Sequence, residues 1–141
     1  MAQTAAHLVA CVMPWVAMRQ WVVSVPIPLR YWMASSRDLT AQVHRTIRNA
    51  IAQYYVNQAV SRGAERHKVQ PGSVTFIQRF GSAINANLHF HVIFLEGVYH
   101  GRSEEGLTPR FVEADPPSNA DISDVLRKIS HRVIRKLRRL G

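Results

Sequence analysis

Residues 87–97 read NLHFHVIFLEG, and this run limits the fold more than any other in the chain. In an extended chain successive side chains point to opposite faces, so His89 and His91 project together while Phe90 projects the other way. The apolar residues that follow mark a strand buried within the domain. Just upstream, SVTFIQRF alternates, with Val74, Phe76 and Gln78 on one face and Thr75, Ile77 and Arg79 on the other. Between the two segments, GSAINAN supplies the Gly, Ser and Asn of a hairpin connection. Gln78 then falls opposite roughly residues 89 to 91.

The rest of the chain supplies helices and further strands. From Leu39 to Arg62 the apolar residues Leu39, Val43, Ile47, Ile51 and Tyr54 or Tyr55 recur every three to four positions. That spacing predicts a helix, with Ser36 or Asp38 as its cap and Gly63 at its stop. Arg45, Arg48 and Arg62 form its solvated face. Ser118, with Asp121 three positions on, is a capping-box start to a last helix carrying Ile122, Val125 or Leu126, Ile129, Val133, Leu137 and Leu140. A short helix is expected over residues 2–12, ended by Pro14. The segment 19–26, RQWVVSVP, reads as a central strand with both faces covered, and residues 63–72 read as a polar loop. Two more strands are expected around 98–101 and 109–114. The order implies an α+β domain, with a mainly antiparallel sheet and helices packed on one face.

Charge and length bound the function. The 141 residues make one domain, large enough for a core without disulfides or a metal staple. A single cysteine, Cys11, excludes an internal disulfide and a Cys-based zinc site, and fits a reducing compartment. Eighteen Lys and Arg against nine Asp and Glu give a net charge of +9, which favours polyanionic partners. Seven of those cations, Arg127, Lys128, Arg132, Arg135, Lys136, Arg138 and Arg139, lie on the last helix. The longest apolar run, residues 8–18, is too short to span a bilayer and contains Pro14. No membrane partner and no small-molecule cofactor are expected. Trp15 and Trp21 read as core residues.

The histidine pair carries the chemistry. Two adjacent buried imidazoles would each need a partner and would repel each other if protonated. A divalent cation satisfies both at once. Spacing alone leaves a structural pair and a metal site both standing. With the amide oxygen of Gln78 as third ligand, the set suits Mg²⁺ or Mn²⁺ acting on phosphoryl groups; a half-buried Gln bonded to backbone is the competing reading.

The stretch VTFIQRFGSAINANLHFHVIFLEGVY resembles the core of the transposases of rolling-circle insertion sequences, the insertion-sequence-ninety-one-like group, whose His, bulky hydrophobic and His form the HUH motif. Upstream, TAAHLVACVMPWVAMRQWVVSVPIPLRY is similar to the segment that joins that family's zinc-binding module to its first nuclease strand. The resemblance implies an HUH-endonuclease core with a ferredoxin- or RRM-like sheet. It also implies a divalent cation held by His89, His91 and Gln78, and single-stranded DNA at insertion-sequence ends as the substrate. In that family a tyrosine attacks the scissile phosphate and becomes joined to the 5′ side. Arg19, Gln20 and Asn87 fall in the matching blocks, as DNA contacts or as braces of the sheet, and Arg79 is a further DNA-contact candidate. A cytoplasmic, nucleoid-associated bacterial protein is implied.

Departures from the family pattern are specific. Its cysteine-built zinc module precedes the matched region, and its nucleophilic tyrosines follow it; Tyr31, Tyr54, Tyr55 and Tyr99 match none of them. Tyr54 and Tyr55 sit on an amphipathic helix where packing is the stronger reading. The expectation is therefore one nuclease-core domain over residues 1–141 without an assigned nucleophile, binding DNA weakly and cleaving it poorly alone. Two alternatives stand beside it: a non-catalytic nucleic-acid-binding module with an RRM-like sheet, in which Phe76 and Phe90 would have to be exposed although both read as buried, and a decayed transposase remnant.

Overall fold

The computed structural model describes residues 7, 13–78, 88–101, 106 and 108–140. Most of the helix expected over residues 2–12 lies outside them, as do Cys11, the connection at 81–87, and Arg79 and Asn87. In chain order the elements are β1 (Met18–Ser24), α1 (Ile27–Ser35), α2 (Arg37–Ser61), a 3-10 turn (Arg66–Lys68), β2 (Val69–Gln70), β3 (Ser73–Gln78), β4 (His89–Leu95), β5 (Gly97–His100), β6 (Arg110–Glu113) and α3 (Asn119–Leu140).

The long helix forms where the apolar spacing predicts it. Ser36 caps α2, its Oγ accepting from the Leu39 N–H at 3.2 Å, and Gly63 ends it at φ +93°, a left-handed value that glycine adopts without a Cβ clash. The backbone N–H groups of Gly63 and Ala64 return to the carbonyls of Val60 and Ala59 at 3.0 Å each. Leu39, Val43, Ile47, Ile51 and Tyr55 are all buried.

Helix α1 has no counterpart among the expected elements; it begins directly after Pro26, the residue that closes the expected strand over 19–26. Proline is tolerated in a helix's first turn, where the missing N–H has no intrahelical partner in any case. Leu29 and Met33 bury against α2, and the Thr40 hydroxyl donates to the Met33 carbonyl at 2.8 Å.

The antiparallel strands divide into two sheets of three, ordered β1-β4-β3 and β2-β5-β6. The expectation for β1 is corrected: it is an edge strand, and β4 is the centre. Exposure alternates residue by residue along β1, with Val22 56% exposed, so only one of its faces is covered. The polar loop expected over 63–72 contains the short strand β2, paired with β5.

Helix α2 covers one face of the first sheet. Phe90, Val92 and Phe94 of β4 are at most 1% exposed on that face. Tyr55 stacks on Phe94 at 5.5 Å, and His44 stacks on Phe90 at 5.9 Å while its Nε2 meets the Thr75 hydroxyl at 2.8 Å. Burial, with Arg48 secondarily, holds the His44 imidazole below its usual pKa. Helix α3 packs on α2 through Val125, Ile129 and Val133, and Arg132 donates to Gln53 at 2.8 Å. Its capping box is complete: Asp121 accepts from the Ser118 N–H at 2.9 Å and Oγ at 2.6 Å, which lowers the Asp121 pKa. The chain is α+β, with antiparallel strands and helices on one face.

Candidate metal centre on the open sheet face

The face of β4 opposite the helices carries His89, His91 and Ile93, all partly exposed. Register sets their neighbours. His91 lies between Val22 of β1 and Phe76 of β3, and His89 between Ser24 and Gln78. Because directly opposed residues share a face, Gln20, Val22, Val74, Phe76 and Gln78 complete one open surface around the two imidazoles.

Within this surface the polar groups converge. The two imidazole rings are 4.9 Å apart between centroids and inclined at 60°. Gln78 Oε1 lies 3.1 Å from His89 Nε2. Gln20 reaches diagonally across the β1-β4 pair, placing its side-chain nitrogen 2.7 Å from His91 Nδ1. Nε2 of His91 is buried and has no hydrogen-bond partner.

These dimensions fit a small divalent ion. Two donors bound cis in an octahedron with bonds of about 2.1 Å are about 3.0 Å apart, close to the 3.1 Å between His89 Nε2 and Gln78 Oε1. Two imidazoles bound cis through bonds of about 2.1 Å place their ring centres about 4.5 Å apart, near the observed 4.9 Å. No cluster of three or more His, Cys, Asp or Glu able to hold a metal exists among the described residues. The third donor here is the amide oxygen of Gln78.

The other candidates fall elsewhere. Arg19 lies on the helix-covered face, where its Nε donates to Glu96 Oε1 at 2.7 Å and its Nη2 bonds the same oxygen. That bond raises the Arg19 pKa and ties β1 to the corner between β4 and β5. Tyr54 and Tyr55 are on α2, across the sheet from the histidines. Tyr55 is wholly buried and its hydroxyl accepts from Trp21 Nε1 at 3.1 Å; the Tyr54 hydroxyl donates to the Asp115 carbonyl at 3.2 Å. Burial raises both phenol pKa values, that of Tyr54 to about 12, so both hydroxyls keep their protons near neutral pH.

Two aromatic residues differ from expectation. Phe76 is 48% exposed, because no described helix lies over its face of the sheet, while Phe90 is fully buried as expected. Trp15 stands fully exposed before β1, whereas Trp21 packs edge-on against Tyr54 and Tyr55. The parity of β1, with Gln20, Val22 and Ser24 in phase, was the signal for Gln20 beside the histidines; the consecutive run Trp21, Val22, Val23 concealed it.

Residues 72–139 match the family model described as "Putative transposase". The match is to a transposase family. It spans just under half of the chain, running from β3 through the histidine strand to the last turn of α3. It supports a transposase role and includes His89, His91 and Gln78; Arg19 and Gln20 lie outside it. No curated protein and no solved structure matches the chain. No described helix is long and apolar enough to cross a membrane.

Proposed function

We propose that this chain is the cation-binding nuclease core of a transposase of the HUH type, acting on single-stranded DNA at insertion-sequence ends. The observation that carries the reading is the buried, partnerless Nε2 of His91 beside the His89–Gln78 pair. A buried polar atom without a partner is costly, and a divalent ion is the ligand that two imidazoles and an amide oxygen jointly fit. Mg²⁺ and Mn²⁺ suit this set, and either, when bound, polarises a phosphate oxygen and stabilises charge developing on it.

Val22 and Phe76 flank His91 on the open face, one from each neighbouring strand. Net charge of +9 draws a phosphate backbone and makes its binding salt-dependent. The described tyrosines on α2 face away, so attack on the phosphate is assigned to a tyrosine outside the described site. A second reading, a binding module without chemistry, is favoured by one observation: Phe76 presents an aromatic ring where an unpaired base could stack.

Thermal melting with and without Mn²⁺, together with binding of a labelled single-stranded oligonucleotide, tests the proposal. At a hundred times its Kd, Mn²⁺ should stabilise the protein by about 2.7 kcal/mol, and the double substitution His89→Ala, His91→Ala should abolish that shift. An equal Mn²⁺ shift in the double variant would sink the nuclease reading. Loss of oligonucleotide binding in Phe76→Ala, with none in the histidine variant, would favour the second.

A further inference from the structure

We propose that Gln20 is a positioning residue for the cation site: it fixes the tautomer of His91, so that Nε2 presents a lone pair to the ion. The inference deepens the cation reading above and rests on it. Gln20 stands opposite Ile93 in the β1-β4 register, and its side chain crosses diagonally to His91 Nδ1 at 2.7 Å. The site thereby draws on all three strands of the sheet, with Gln20 from β1, the imidazoles from β4 and Gln78 from β3.

A neutral imidazole carries one proton, and the partner of one nitrogen decides which nitrogen bears it. If the amide nitrogen of Gln20 donates to Nδ1, the ring proton must sit on Nε2, leaving a buried N–H with no acceptor. A carboxamide turned through half a rotation presents its oxygen at the same 2.7 Å reach. Nδ1–H then donates to that oxygen and Nε2 keeps only its lone pair, which is the form a metal requires. The second arrangement leaves the buried Nε2 as a lone pair that an ion can take up, whereas the first leaves it as an N–H that no ion can use. It is the hydrogen-bonding scheme by which groups behind a ligating histidine set its tautomer and orientation.

Arg19 and Trp21, the neighbours of Gln20, face the helix side and cannot take over this contact. Gln20 is exposed on an edge strand, so its replacement leaves the core intact.

Three substitutions in the full chain separate acceptor from donor. Gln20→Glu offers only acceptors, Gln20→Lys only donors, and Gln20→Leu neither. Long-range proton–nitrogen NMR on histidine-labelled, metal-free protein reads the His91 tautomer directly. The expected result is proton on Nδ1 in the wild type and in Gln20→Glu, and proton on Nε2 in Gln20→Leu and Gln20→Lys. Mn²⁺ titration by calorimetry should show affinity lowered tenfold to a hundredfold in Gln20→Leu and Gln20→Lys, and retained or raised in Gln20→Glu. A wild-type His91 protonated on Nε2, or Mn²⁺ affinity in Gln20→Leu equal to wild type, overturns the proposal. Absence of Mn²⁺ binding by the wild type overturns the cation reading instead, and the metal-free NMR result then decides by itself whether Gln20 sets the tautomer.

Discussion

Gln78 and His89 face each other across β3 and β4, with the Gln78 amide oxygen 3.1 Å from His89 Nε2. This contact decides which donor set the open face can offer. It holds an amide oxygen beside an imidazole on paired strands, so that, if an ion binds there, little order has to be created. Replacing Gln78 by Leu should lower Mn²⁺ affinity by on the order of tenfold or more. Gln78→Glu should raise affinity for Mg²⁺, a hard cation that prefers carboxylate oxygen. Calorimetric titration checks both, and unchanged affinity in Gln78→Leu would remove Gln78 from the ligand set.

Phe90 separates the two histidines in sequence but lies on the opposite side of the sheet. It is fully buried and stacked on His44. Phe90→Ala should cost about 3–5 kcal/mol of stability through lost burial and the cavity left behind, measured by urea denaturation. The fraction still folded should bind Mn²⁺ as wild type does, since the donors face the other way.

The Tyr54 phenol predicts an alkaline transition. Burial, and Asp121 next, push it up to about 12, whereas an unfolded phenol ionises near 10. Between those values only the unfolded chain releases the proton. Stability is therefore intact below about pH 10 and falls as pH rises toward 12. Urea midpoints across this window should decline less steeply in Tyr54→Phe than in wild type; parallel curves would show that Tyr54 does not contribute.

Gly97 sits at the corner between β4 and β5, where a Cβ would come within 2.3 Å of the Val112 carbonyl oxygen and 2.8 Å of the Phe111 ring. Gly97→Ala should destabilise the protein by about 1–3 kcal/mol through backbone strain, and should loosen β6 first, because that is the strand it would displace. Faster amide exchange in residues 110–113 than in β4 is the expected signature.

Local pattern made much of the molecule legible. The period of α2 predicted its buried residues and its glycine stop, and the capping box of α3 was readable from Ser118 and Asp121 alone. The parity of residues 89–91 placed the histidines on one face, and the hairpin spacing brought Gln78 against them. Where the pattern misled, the cause was non-local. The run Trp21-Val22-Val23 is consistent with a strand covered on both faces, yet no described helix covers the outer one, so Val22 and Phe76 are exposed. The stripe of α3 is apolar at Ile122 and Leu126, but its buried seam against α2 runs through Val125, Ile129 and Val133, leaving those two 43% and 54% exposed.

Sequence by itself determined which residues share a face, because the side-chain periods of helix and strand are properties of the backbone and need no partner. It thereby places two imidazoles and one amide together. Only the tertiary structure decided which face lies open, that β4 rather than β1 is central, and that Gln20 reaches His91 from the far strand. Those features depend on how elements distant in sequence pair and pack, and the energy that selects among the pairings comes from burying one continuous core.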